Sequence, residues 1–273
     1  MSERMIPAWS LTADEAGAIA RPASWPDRVT REWAIGSSTG AGVDVCVLDS
    51  GVDPSHPLVG GLASAVAVVL DGDEPRVVPD EKGDVCGHGT ACAGIIRSLA
   101  PDCRIHSVRV LGAGTTGTGD LILAGLRHAI ENGYDVVNLS LSTTKRKFAE
   151  MLHELADAAY FRRTVLVASA HNMPVESYPW RFASVISVGS HEGDDGLTWY
   201  ANPEPPVEFF ARGVDLDVAW LGGGTLRCTG NSFAAPHIAG IATLVLGRHP
   251  ELTPFQLKSV LYLTATNAEG SGA

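Results

Sequence analysis

Val43-Asp44-Val45-Cys46-Val47-Leu48 runs directly into Asp49-Ser50-Gly51. A short β-branched apolar run halted by a turn signature predicts a strand, and its lack of clean polar alternation predicts burial on both faces. Outward from it the pattern repeats. Residues 104–110, 136–141, 164–168 and 184–188 read as further strands. Helical patterns cover residues 89–99, halted by Pro101, then 120–132, with Gly133 at the C-terminal stop, and 146–162. Two more helices, over 232–248 and 254–264, close the chain. Short apolar strands alternating with longer helices predict an α/β fold in one domain, a mostly parallel central sheet with helices on both faces. Residues 1 to about 40 are rich in Pro, Trp, Ser and Gly and weakly periodic, and read as an arm leading into that core.

The composition narrows the partners. With 45% hydrophobic and 19% charged residues the chain has the makings of a packed core. Lys and Arg number 20 against 31 Asp and Glu, a net charge of −11, which repels a phosphate backbone and argues against nucleic acid. The basic run Lys145-Arg146-Lys147 opens a predicted helix and reads as a solvated face. No apolar stretch approaches the roughly 20 residues that span a bilayer, so no membrane partner is expected. The opening residues lack the apolar segment of a secretory signal, and Cys46, Cys86, Cys92, Cys103 and Cys228 form no C-x-x-C pair. Reduced thiols in a cytoplasmic protein are therefore expected.

In a parallel sheet, sites form at the carboxyl ends of strands. Asp49 ends the first strand, His88 opens a helix in Gly87-His88-Gly89-Thr90, and Ser232 opens another in Gly230-Asn231-Ser232-Phe233-Ala234-Ala235-Pro236. Taken singly, each is an ordinary turn or helix start. Jointly they set an acid, a base and a nucleophile in one of the chain orders in which Ser-His-Asp catalysis occurs. Gly112-Ala113-Gly114-Thr115-Thr116-Gly117 copies the glycine spacing of a dinucleotide loop. However, its acid, Asp135, precedes the following strand instead of ending it, which argues against a nucleotide. The histidines include no H-E-x-x-H, and no metal site is expected.

Val47-Leu48-Asp49-Ser50-Gly51-Val52-Asp53, His88-Gly89-Thr90-Ala91-Cys92-Ala93-Gly94 and the segment 230–240 together resemble the subtilisin-like serine proteases, the subtilase family. The likeness covers roughly residues 25–265. It implies a subtilisin-like catalytic domain over residues 25–273, preceded by an arm over residues 1–24. It also implies a serine endopeptidase working through an acyl-enzyme, with Asp49, His88 and Ser232 as the catalytic residues. Asn172 and the Ser232 amide would form the oxyanion hole. Ser140-Leu141-Ser142 and the loop from Gly114 to Gly117 would hold an extended peptide or protein substrate, with Ile122 and Leu141 lining a pocket. Cys92 stands where proteinase-K-like members carry a thiol beneath the histidine. Alternatives are a dedicated maturation protease for one precursor peptide and a non-catalytic peptide-binding pseudo-protease.

Against that family pattern the chain departs at several places. Only residues 95–102 separate the His88 helix from the next strand, where many subtilases carry a calcium loop, and Leu58 replaces a liganding Asp. The usual calcium site is expected to be absent, and no other cofactor is implied. His171 replaces the Gly before the oxyanion Asn, so either the turn differs or the imidazole joins the pocket wall. Asn231 replaces a Thr and is expected to serve equally as a helix cap. Met5-Ile6-Pro7-Ala8-Trp9 loosely resembles the Ile-Pro motif with which cytoplasmic subtilisins block their own cleft, which makes the arm a candidate inhibitory extension.

Overall fold

A computed structural model describes residues 8–19, 25–115 and 117–268. In chain order the elements are α1 (Ala13–Ala18), α2 (Arg31–Ala34), β1 (Asp44–Asp49), β2 (Ser64–Asp71), β3 (Glu74–Pro79), α3 (His88–Leu99), β4 (Arg104–Arg109), α4 (Gly119–Glu131), β5 (Val136–Leu139) and α5 (Ala149–Phe161). The second half adds β6 (Val165–Ser169), β7 (Val185–His191), β8 (Trp199–Ala201), β9 (Phe209–Arg212), β10 (Leu216–Ala219), β11 (Thr225–Cys228), α6 (Asn231–Arg248) and α7 (Pro254–Leu263).

Nine strands form one sheet in the order β3-β2-β4-β1-β5-β6-β7-β9-β8, and β10 and β11 form a separate hairpin. The sheet is parallel from β2 to β9 and antiparallel only where the end strands β3 and β8 join it. The opening stretch of sequence explains why β1 sits inside the sheet, between β4 and β5. Val45 and Val47 point into the apolar core on the α3, α6 and α7 side. Cys46 and Leu48 point into the other core, built with α4 and α5. Side-chain alternation thus feeds two cores from one strand, which an apolar residue at nearly every position permits.

α6 is the most deeply set helix, with residues 233–246 all buried. It packs against α3 at a small-residue contact, where a Cβ on Gly240 would stand 2.9 Å from Leu99 Cδ1. Ordinary van der Waals packing wants about 3.5–4.0 Å between carbons, so the glycine sets how closely the two helices lie.

Three readings from sequence change in detail. The strand expected over 136–141 stops at Leu139, and Ser140 leaves the sheet to donate its hydroxyl to the Ser232 carbonyl at 2.7 Å. The helix expected from 146 begins with a 3₁₀ turn, Arg146–Phe148, before α5. The sequence pattern does not predict the β2–β3 hairpin or strands β8 to β11, which are half-exposed or only three to four residues long. The stretch read as an arm is docked by α2, where Arg31 donates to the Thr264 carbonyl at 2.8 Å and Trp33 stacks on His249. α1 is exposed throughout, with a capping box from Thr12 and Glu15. Residues 5–7 of the Ile-Pro segment lie outside the described residues.

Candidate active site

β1 ends by burying Asp49, whose side chain is fully enclosed. Its carboxylate accepts the Ser50 backbone N–H at 2.7 Å and faces His88 Nδ1, 2.8 and 2.9 Å from its two oxygens. An ionised carboxylate only accepts, so Nδ1 carries the proton and Nε2 presents a lone pair. Gly89 brings α3 this close to β1, because a Cβ there would collide with the Gly51 carbonyl oxygen.

Asp84, which lies in none of the sequence motifs above, stitches these elements together. It accepts backbone N–H groups from Cys86 (2.9 Å), Gly87 (2.8 Å) and Thr90 (2.8 Å), together with the hydroxyls of Ser50 (2.8 Å) and Thr90 (2.6 Å). Its charge caps the unpaired donors at the start of α3 and ties that start to the end of β1. An acid three residues before Gly87-His88 was the available signal.

The charge state of His88 follows from this setting. Burial alone pushes its pKa down. The Asp49 charge, the hydrogen bond to Asp49 and the more distant Asp84 charge together outweigh burial and hold it above the ordinary imidazole value.

Ser232 is the second residue of α6. Its carbonyl receives the Ser140 hydroxyl, and Ser140 in turn receives Asn138 Nδ2 at 3.0 Å. The Phe233 ring lies 5.4 Å from the His88 ring, centroid to centroid. Cys92 is fully buried beneath, its Sγ 3.7 Å from the Ser232 carbonyl and 4.0 Å from Asp49 Oδ2. The Asp49, His88 and Cys92 donor atoms lie close enough to hold an ion. The set fits a metal poorly, since Asp49 is committed to His88 and burial raises the thiol well above its ordinary pKa.

Asn172 follows β6. Its Oδ1 accepts the Asn231 backbone N–H at 2.9 Å, which leaves Nδ2 as the outward donor. Asn231 does not cap α6, whose N-cap is Gly230 without a side-chain bond. Its Oδ1 instead accepts from Ser190 N and Oγ, both at 2.9 Å, and its Nδ2 donates to the Ala170 carbonyl at 3.2 Å. The residue ties the start of α6 to the ends of β6 and β7.

One cleft of about 400 Å³ is lined by His88, Ser232, Asn172, Ser140, Leu141, Ser142, Gly117 and Ile122. Gly114, at a left-handed φ of 75°, is not among the residues that line it. His171 keeps a negative φ and does join the wall. No direct hydrogen bond joins the Ser232 hydroxyl to His88, a looseness that catalytic pairs commonly show until substrate tightens them. A carboxylate-oriented imidazole, a hydroxyl and an amide donor around one cleft can activate an alcohol and stabilise an oxyanion.

Comparison with known proteins agrees. The Subtilase family profile matches residues 40–273. Subtilisin DY of Bacillus licheniformis is 31% identical over 246 residues, 84% of this chain and 85% of that protein. M-protease of Shouchella clausii is 32% identical over 252 residues, 86% of this chain but 63% of that protein. A cold-adapted subtilisin-like serine proteinase of known crystal structure superposes with a TM-score of 0.70 at 28% identity, covering 86% of this chain and 87% of its own. Among the described residues no helix is long and apolar enough to cross a membrane. With its sheet order, its cleft and these relatives in agreement, the chain belongs to the subtilase family of serine peptidases.

Proposed function

We propose that Ser232 is the nucleophile, His88 the general base and acid, and Asp49 the residue that orients His88. Nε2 takes the Ser232 proton as Oγ attacks the substrate carbonyl carbon. The carbonyl π pair moves to oxygen, where Asn172 Nδ2 and the Ser232 backbone N–H receive it. Collapse breaks the C–N bond, and the imidazolium returns the proton to the leaving amine. Water then repeats the cycle on the ester, releasing the acid and regenerating Ser232. Asp49 stabilises the imidazolium without taking its proton. The substrate is an extended peptide laid along residues 140–142, with Leu141 and Ile122 forming an apolar subsite.

The Asp49–His88 pair beside Ser232 in one cleft carries this reading. A fluorophosphonate should label the wild type covalently, and Ser232→Ala should abolish label and peptidase activity together; labelling that survives the exchange would refute the assignment. Asn172→Ala should keep KM and lower kcat by about 10²–10³, the cost usual for one such donor in this family.

No calcium is assigned to the α3–β4 connection. The Arg97 guanidinium spans that connection. It donates to the carbonyls of Pro101 and Cys103, both at 2.7 Å, and of Val59 at 2.9 Å.

A further inference from the structure

Residues 140–143 and 169–172 line the cleft beside Ser232, and the side chain of a residue whose carbonyl met Ser232 and Asn172 would enter the space between them. That space has its own chemistry. Beside it Thr143 and Tyr178 exchange backbone bonds of 2.9 and 3.0 Å. Ser142, Thr143 and His171 line it. His171 Nδ1 accepts the Met173 N–H at 3.0 Å, which leaves Nε2–H as a donor. Lys145, whose backbone N–H turns back onto Thr143 Oγ1 at 3.2 Å, also lines the cleft.

Among the described lining residues Lys145 is the one permanent charge, and no carboxylate is present. This holds in a chain of net charge −11. The nearby acid, Glu176, is engaged by the Tyr178 hydroxyl and flanked by Arg146 and Arg181. An excess of donors and one cation, in a pocket without an anion, awaits an anionic guest.

We propose that Lys145 and His171 are specificity-determining residues that select an acidic side chain, Glu or Asp, immediately before the scissile bond. This rests on the peptidase reading above, and the test separates the two. Wild-type enzyme is labelled with fluorophosphonate and, in parallel, offered a proteome-derived peptide library whose cut sites are read by mass spectrometry. Matched quenched peptides differing only in Glu, Gln, Leu or Lys at that position then give kcat/KM. Glu and Asp should dominate the library cuts, and the Glu peptide should exceed the Gln peptide by about tenfold, the scale of one charge-assisted hydrogen bond. That ratio should shrink at about 0.5 M salt. It should fall to near unity in Lys145→Met and invert in Lys145→Glu, exchanges at an exposed position that leave the core untouched. A labelled enzyme that cuts after Leu or Gln as readily as after Glu, that cuts nothing in the library, or that keeps its ratio in Lys145→Met overturns the pocket assignment alone. Absence of labelling overturns the peptidase reading and the pocket with it.

Discussion

As the proposed general base, His88 can accept a proton only while neutral, so the pH at which it charges should limit activity. Burial pushes that pKa down, but Asp49 and then Asp84 pull it above the ordinary value near 6.5. On acidification the neutral fraction therefore fails earlier than for a free imidazole, and the acid limb of kcat/KM should lie above pH 6.5. Asp84→Asn removes a charge that raises the pKa, so the limb should move to lower pH. A pH–rate profile that stays in place would deny Asp84 any electrostatic part. Asp49, His88, Asn172 and Ser232, which the structure gathers around one cleft, are each marked in the sequence by a local motif. Asp84 is not, because its role is the sum of five bonds to residues 50, 86, 87 and 90 that only the folded chain brings together. Asn231 was misread for a related reason: its helix-cap chemistry is plain in the sequence, whereas Ser190, its actual partner, is remote in the chain.

At the level of elements, the site is a joint between β1 and α3. Gly89 lets the helix start against the Gly51 carbonyl, and a methyl group there meets backbone that cannot rotate aside. Gly89→Ala should lower stability by about 1–3 kcal/mol or more, the range for overpacking, measured by urea unfolding. It should also cost activity beyond that loss, because the displaced helix carries His88 away from Asp49. A variant with wild-type stability and turnover would show that the contact is slack. The central elements were readable because strands with an apolar residue at nearly every position, separated by helices, leave few alternatives. The β2–β3 hairpin was not, since β3 is an edge strand with mostly exposed side chains and no strong pattern. The shortest strands carry too few residues for a period to show.

For the molecule as a whole, the proposal is that a side chain, Arg97, and not a metal ion holds the region next to α3. Arg97 gathers three carbonyls from two chain segments, at the end of its helix where a cation is favoured. Thermal unfolding should therefore keep its midpoint to within about 2 °C on adding a chelator, roughly the shift that a 1 kcal/mol change would produce in a protein of this size. A larger fall would reveal an essential ion. Arg97→Ala should lower the midpoint in buffer with or without the chelator, as three carbonyls lose their donor. The short connection after α3 was visible in the sequence, but the guanidinium that serves it was not, because Val59 comes from a distant loop.

The closeness of α3 and α6 at Gly240 bears on how the enzyme ages under heat. The proposed nucleophile and base ride on separate helices whose spacing is set at the Gly240 seam. A loosened yet competent form has nowhere to exist: the seam opens, and the two reacting groups part in the same event.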